Sequence, residues 1–367
     1  MRISVSDLTP LSLGAALLGT GGGGNPYTGR LALRRQIELT GREPELIDLQ
    51  SVADDALVAS VLMAGSPSIG LEKLLCEAYF TTPLRQLERY LGRRVDALIP
   101  IEVGGVNSLL PLMTSCATGL PVIDADGMGR AFPTIERTTF GIAGLNPCPN
   151  VLANAHGHLV IIDDVEISSL ERISRSVIVA LGAHSGSACH PMSGAQVKTA
   201  ALAGTMTLAL RIGRALLAAR AAKLDPAQAV LDEASRAHPH AYGRVLFEGN
   251  VVDVKRETIG GYNIGTGVVE GSAGTLTFAF QNEYLYARQG ERFLTVVPDL
   301  VMVVDRDTGE PITCESIRYG QRVKVLGMAC FPELRTPAAL KVCGPRAFGL
   351  DTDFVPIETL TDDGVTR

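Results

Sequence analysis

The stretch "HPHAYGRVLFEG", His238 to Gly249, divides the chain into two kinds of sequence. After it, short β-branched and aromatic runs follow one another with Gly turns between them: "GRVLFEGNVVDVKRE", "GTGVVEG", "GTLTFAFQNEYLYAR", "LTVVPDLVMVVDRDTGEPI" and "QRVKVLGMA". Strands so spaced predict a smaller, antiparallel β-barrel-like domain over residues 241–367. Before it, apolar runs of strand length ("PELIDL", 44–49; "ALVASVLMAG", 56–65; "DALIPIE", 96–102; "LPVIDAD", 120–126) alternate with helical stretches such as "GGVNSLLPLMTSCATG". That alternation predicts an α/β domain over residues 1–240, with a largely parallel sheet covered by helices on both faces. "NVLANAHGHLVII" reads as a hairpin with His156 and His158 at its turn. The segment from Ser168 to Arg236 reads as helix-rich, and "GAHSGSACHPMSG" within it as a loop of small residues.

Composition narrows the class of function. The 367 residues are 46% hydrophobic and 20% charged, with net charge −6 and no Trp. Such a chain lacks the clustered Lys and Arg and the stacking aromatics that nucleic-acid binding needs. The most apolar window, "TAALAGTMTLALRIGRALLAARAA", contains Arg211 and Arg214, so it predicts a buried or amphipathic helix and no membrane partner. "MRISVSDLTP" has no apolar signal core, and the seven scattered cysteines form no Cys-x-x-Cys. Reduced thiols in a cytoplasmic protein are expected.

Near the N-terminus, "GTGGGGNPYTG" places five glycines in the six positions 19–24. A phosphate loop would end in Gly-Lys-Ser/Thr, and a dinucleotide fingerprint would follow a strand. Here the run follows a helical period (Leu8, Leu11, Ala15, Leu18) and ends in Asn25-Pro26, so no nucleotide is expected. Two readings stay open: a bare connector between helices, or a loop in which Gly22, Gly23, Gly24 and Asn25 line a ligand.

Three further motifs carry candidate chemistry. In "PIEVGGVNS" and "PVIDADGMGRAFP", Glu102, Asp124 and Asp126 lie at consecutive strand ends, with Asn107 and Arg130 close by. Ligands of α/β sheets bind beyond the carboxyl ends of strands, so these side chains are expected to converge on one crevice; the alternative is that "DADGMG" is only a tight turn. In "FQNEYLYAR", Gln281, Asn282 and Glu283 interrupt a strand pattern, so at least one turns inward or sits at a bulge. His184, Cys189 and His190 offer imidazole and thiolate for a divalent metal such as zinc, or are plain loop structure.

Taken in order, "GTGGGGNPYTG", "PIEVGGVNS", "PVIDADGMGRAFP", "FQNEYLYA", "VPDLVMVV" and "GPRAFGLD" resemble a bacterial and archaeal family associated with S-methyl thiohydantoin desulfurase and thiohydantoin desulfhydrase activity. The resemblance runs from about Leu8 to Pro356. It implies a three-layer αβα N-terminal domain, a β-barrel-like C-terminal domain, and a hydrolase of a small thiohydantoin-like or related cyclic ureide. In that reading Asp124 and Asp126 activate water, directly or through a metal, and Glu102 belongs to the same acidic set. Arg130 holds an anionic substrate group, Asn107 and the glycine amides bind the oxyanion, and Gln281, Asn282 and Glu283 close the site from the second domain. Where members of the family often carry Asp and Glu, this sequence has Asn25 and Thr134. A homo-oligomer is expected, and the resemblance names hydantoinase/oxoprolinase-type proteins as neighbours. The alternative function is therefore a metabolite-binding subunit of such an enzyme.

Overall fold

The computed structural model describes residues 1–65, 73, 75–238 and 240–360. Two seven-stranded sheets dominate it. The first contains β1 (Leu46–Ile47), β2 (Leu57–Gly65), β3 (Ala97–Ile99), β4 (Val122–Ile123), β6 (Asn150–Ala153), β7 (Leu159–Ile162) and β8 (His184–Ser193), in the order β1-β4-β3-β2-β8-β6-β7. A separate short ladder pairs β5 (Ala125–Asp126) with β9 (Leu202–Ala203). The neighbours from β1 to β2 are parallel, whereas β2–β8, β8–β6 and β6–β7 are antiparallel. The sheet is therefore mixed, which corrects the expectation of a largely parallel one.

The cause of the difference is β8. Its sequence, "HSGSACHPMS", has few β-branched or aromatic residues and read as a loop. Counting the longer helices in chain order, α1 is Leu8–Leu18, α2 Pro26–Thr40, α3 Ala78–Leu91, α4 Leu110–Thr118, α5 Ile167–Ala180 and α6 Thr205–Ala221. Helix α3 packs so closely on β8 that a Cβ on Gly186 would lie 1.7 Å from the Tyr79 carbonyl oxygen. Small residues are what this approach requires, and packing outweighs strand propensity. The hairpin around His156-Gly157-His158 forms as expected, between β6 and β7.

Helices α1 and α6 cross in similarly close contact. A Cβ on Gly14 would lie 1.8 Å from the Ala209 carbonyl oxygen, and one on Gly213 1.8 Å from that of Pro10. Leu11, Leu17, Ile212 and Leu216 are buried. The helix expected over 199–222 breaks before α6, where Gly204 takes a positive φ after β9. Among the described residues, no helix is long and apolar enough to cross a membrane.

The second sheet is wholly antiparallel, in the order β14-β13-β12-β11-β10-β16-β15. Its strands are β10 (Gly243–Ile259), β11 (Tyr262–Gly271), β12 (Gly274–Gln281), β13 (Glu283–Gln289), β14 (Arg292–Val296), β15 (Leu300–Asp305) and β16 (Arg322–Met328). Bulges in β10 and in the β12–β13 pairing bend it, and it curls until β13 and β14 come back against β15. The result is a half-barrel around Phe278, Phe280, Tyr284 and Val303. Hydrogen bonding does not join β14 to β15, so the barrel does not close.

Candidate functional site

The bare glycine run is threaded between other backbones. The Tyr284 amide donates to the Thr20 carbonyl at 2.7 Å, that of Cys314 to Gly21 at 2.9 Å, and that of Val106 to Gly23 at 2.8 Å. A Cβ on Gly23 would meet the Gly104 carbonyl oxygen at 2.4 Å, and Gly23 also has a positive φ of 71°. A Cβ on Gly22 would sit 2.1 Å from Oε1 of Glu283. The missing side chains thus make room for the Gly104–Gly105 backbone, the Glu283 carboxyl and, at Gly21, the Tyr284 ring.

Beyond this crossing lies a cavity of about 390 Å³. The loop Gly22–Asn25 and Thr28, in the first turn of α2, form part of its wall. The N–H groups of Gly23 and Gly24 donate to no acceptor among the described residues. A run of free amides at a helix N-terminus favours negative charge nearby.

Glu102 enters the cavity from the segment after β3. Its Oε1 accepts from Asn107 Nδ2 at 2.6 Å, and Asn107 Oδ1 in turn accepts from the Met63 amide at 2.9 Å. Oε2 of Glu102 is buried with no hydrogen-bond partner among the described residues. Burial pushes the carboxyl up to about 8, against the bond from Asn107. Glu283 enters from the half-barrel, 3% exposed, immediately after Asn282, whose left-handed backbone (φ 63°) forms the turn between β12 and β13. Its Oε2 is also buried and has no hydrogen-bond partner among the described residues. Burial raises Glu283 well above the usual carboxylate range; the charge of Glu102 adds to the shift and the guanidinium of Arg130 opposes it. Two carboxyls that repel each other in one enclosed space titrate as a pair, one holding its proton while the other ionises.

The expected convergence is only partly met. Gly22, Gly23, Gly24, Asn25, Glu102, Asn107, His184, Asn282 and Glu283 line the cavity, while Asp124, Asp126, Arg130, Gln281, Cys189 and His190 do not. Asp126 is fully buried and accepts from the amides of Val103, Met128 and Gly129, so it ties the Glu102 loop to the "DGMG" turn. Asp124 holds the first turn of α6 through the amide and hydroxyl of Thr207. Arg130 is completely buried. Its five N–H bonds go to Ala131 O, Pro298 O, Asp299 O, Thr20 Oγ1 and Tyr284 O, which leaves none for an anion.

The metal trio does not assemble. His184 and His190 are six residues apart on β8, which is about 20 Å along a strand. Cys189 Sγ lies 3.5 Å from His190 Nδ1, both residues are buried, and the His190 ring packs edge-on against Phe140. Among the described residues, no three His, Cys, Asp or Glu side chains are placed to hold a metal ion. The cavity also contains residues that sequence reasoning passed over: Asn150, Glu171, Ser174, Arg175, Ser187 and Glu315. Asn150 and Ser187 stand on β6 and β8, Glu171, Ser174 and Arg175 on α5, and Glu315 between β15 and β16, so only the folded chain brings them together.

Asp124→Asn separates the helix-holding role from a catalytic one. Asn keeps one acceptor and loses the charge beside a helix N-terminus, so a destabilisation of about 1 kcal/mol is expected, with turnover unchanged. A loss of turnover on the order of a hundredfold with unaltered melting would return Asp124 to the chemistry.

The described fold has a solved counterpart. A crystal structure of a protein from Chromobacterium violaceum superposes with a TM-score of 0.82 at 24% identity, covering 97% of this chain and 100% of that one. At that identity the likeness shows the fold alone. No curated protein matches the chain. Two family models do: residues 6–164 match the one described as "S-Me-THD-like, N-terminal domain", and residues 165–357 match "S-Me-THD-like, C-terminal domain".

Proposed function

Because the chain belongs to the S-Me-THD-like family, we propose that it is a hydrolase acting at C2 of a thiohydantoin-like ring, releasing hydrosulfide or a thiol and leaving a hydantoin. The observation that supports this reading best is the pair Glu102 and Glu283, each with an unpartnered oxygen, on one cavity. Hydrolysis at C2 needs one group to take a proton from water and another to supply protons.

Glu102, whose Oε1 already accepts a hydrogen bond, ionises first and is the base; Glu283 keeps its proton and is the acid. For an S-methyl substrate, the water oxygen bonds to C2 and one water proton passes to Glu102, while Glu283 protonates the ring nitrogen as the C2=N bond opens. The adduct collapses when its hydroxyl proton returns to Glu283 and the C2–S bond breaks. The departing sulfur takes the proton held by Glu102, and both carboxyls regain their starting states. Amides of Gly23 and Gly24, at the positive end of α2, stabilise the oxygen as it gains charge. Asn107 is a positioning residue that fixes Glu102 against the edge of β2.

Incubating the purified protein with an S-methyl thiohydantoin and following free thiol by a thiol-reactive dye, with the hydantoin identified by mass, tests this directly. Saturable binding without thiol release would overturn it in favour of a metabolite-binding subunit. The pH profile is a second check. Turnover needs Glu102 ionised and Glu283 protonated, so kcat/KM rises with pH through about 8, where Glu102 ionises, and falls once Glu283 loses its proton. A rising limb at 4.5, the ordinary glutamate value, would remove Glu102 as the base.

A further inference from the structure

The cavity is larger than the proposed chemistry requires. Its 390 Å³ falls in the range that encloses drug-sized ligands, and a bare five-membered ring does not fill it. The extra space has a definite location. Leu62 on β2, Ser187 on β8 and Leu152 on β6 lie directly opposite one another across three strands, so they share one face of the sheet. Asn150, two residues before Leu152, points the same way. Opposite them, α5 presents Leu170, Ser174 and Ile178 at successive i, i+4 positions. All seven line the cavity. This chamber joins the carboxyl end at β2, because Asn107 binds the amide of Met63, the residue after Leu62.

The chamber's chemistry is neutral. Leu62, Leu152, Leu170 and Ile178 supply apolar wall. Ser187 donates to Asn150 Oδ1 at 2.6 Å and Asn150 Nδ2 donates to Ser174 at 3.3 Å, so its polar groups largely satisfy one another. Around the whole cavity stand four glutamates (Glu102, Glu171, Glu283 and Glu315) against one arginine among the described residues. That arginine, Arg175, is already ion-paired with Glu171 at 2.7 Å and lies against the ring of Tyr262. An anionic substituent would meet this excess of carboxyls with no free cation among the described lining residues to receive it.

We propose that the ring substrate carries an uncharged, mainly apolar substituent at C5, and that it is held between the sheet face at Leu62 and Leu152 and helix α5 at Leu170 and Ile178. This rests on the hydrolase reading for the identity of the ring, and its test is built so that each can fail alone.

Two measurements are made on S-methyl thiohydantoins, and on the matching hydantoins, bearing hydrogen, isobutyl, benzyl or carboxyethyl at C5. In the first, kcat/KM for thiol release from the isobutyl or benzyl ring exceeds that of the unsubstituted ring at least tenfold, the scale of a few methylenes in an apolar pocket. The carboxyethyl ring does no better than the unsubstituted one. In the second, calorimetry on the hydantoins shows the same order of affinity. Ser174→Met, which fills the chamber from α5, lowers the isobutyl-to-unsubstituted ratio at least tenfold; a ratio is read on one protein, so partial misfolding does not alter it. Equal values for all four substituents, or preference for the carboxyethyl ring, overturns the proposal. Substituent-ordered hydantoin binding with no thiol release from any ring overturns the hydrolase reading and leaves the chamber standing.

Discussion

Glu283→Gln protein releases thiol at a rate lower by on the order of a hundredfold to ten-thousandfold, the span seen when a general acid or base is removed, and it melts at a higher temperature than its parent at pH 8. The first effect follows because Gln fills the same space yet cannot deliver a proton to the ring nitrogen or take one back. The second follows from linkage. Burial raises Glu283 well above its ordinary 4.5, so the folded protein retains a proton that the unfolded chain has released. Stability is then greatest below about 4.5 and declines as pH rises toward the folded-state value. Gln is neutral at every pH and removes that decline, so the gap between variant and parent widens from pH 5 to pH 8. Melting curves at the two pH values, beside thiol-release rates, read both effects. A variant that is inactive and also less stable at pH 8 would mean that the carboxyl is structural. Glu102→Gln is expected to behave in the same way, with a smaller gain because Asn107 loses its charged acceptor.

Arg130→Lys is the second large effect, and it is a loss of fold. The guanidinium satisfies acceptors 110, 154, 168 and 169 residues away, on both sides of the interface between the two sheets. An ammonium has three donors in place of five and cannot span the same fork. At least two buried acceptors are left without partners, at about 1–3 kcal/mol each. The variant therefore unfolds in urea with a free energy lower by about 2–5 kcal/mol. Among molecules that do fold, KM stays close to that of the parent. A variant of parental stability with sharply raised KM would show that Arg130 binds substrate after all.

What could be read from the sequence depended on how far the deciding partner lies along the chain. The change at His238–Gly249 was visible because strand and helix periods are local, and the two sheets fall on either side of it. Glu283 was visible because three consecutive polar residues cannot share the outer face of a strand. Asp124, Asp126 and Arg130 look alike as chemistry and as architecture. Their partners Thr207, Val103 and Pro298 are 83, 23 and 168 residues distant, and no spacing rule reaches them. Strand β8 was hidden for a different reason: its glycine and serines answer to the closeness of α3, which only the packed sheet reveals.

The threading of residues 20–23 between Gly104, Tyr284 and Cys314 also sets an order in time. The glycine run leaves the ribosome well before two of its hydrogen-bonding partners, Tyr284 and Cys314, which emerge more than 260 residues later. At roughly 5–20 residues per second that wait is on the order of tens of seconds. Until then the loop has only Gly104 and Val106 to close on, and the cavity lacks the wall that Glu283 and Glu315 supply. Contacts of such long sequence separation slow folding. The chain is therefore open to aggregation until the half-barrel is made, and the cavity is walled in only once Asn282, Glu283 and Glu315 have arrived.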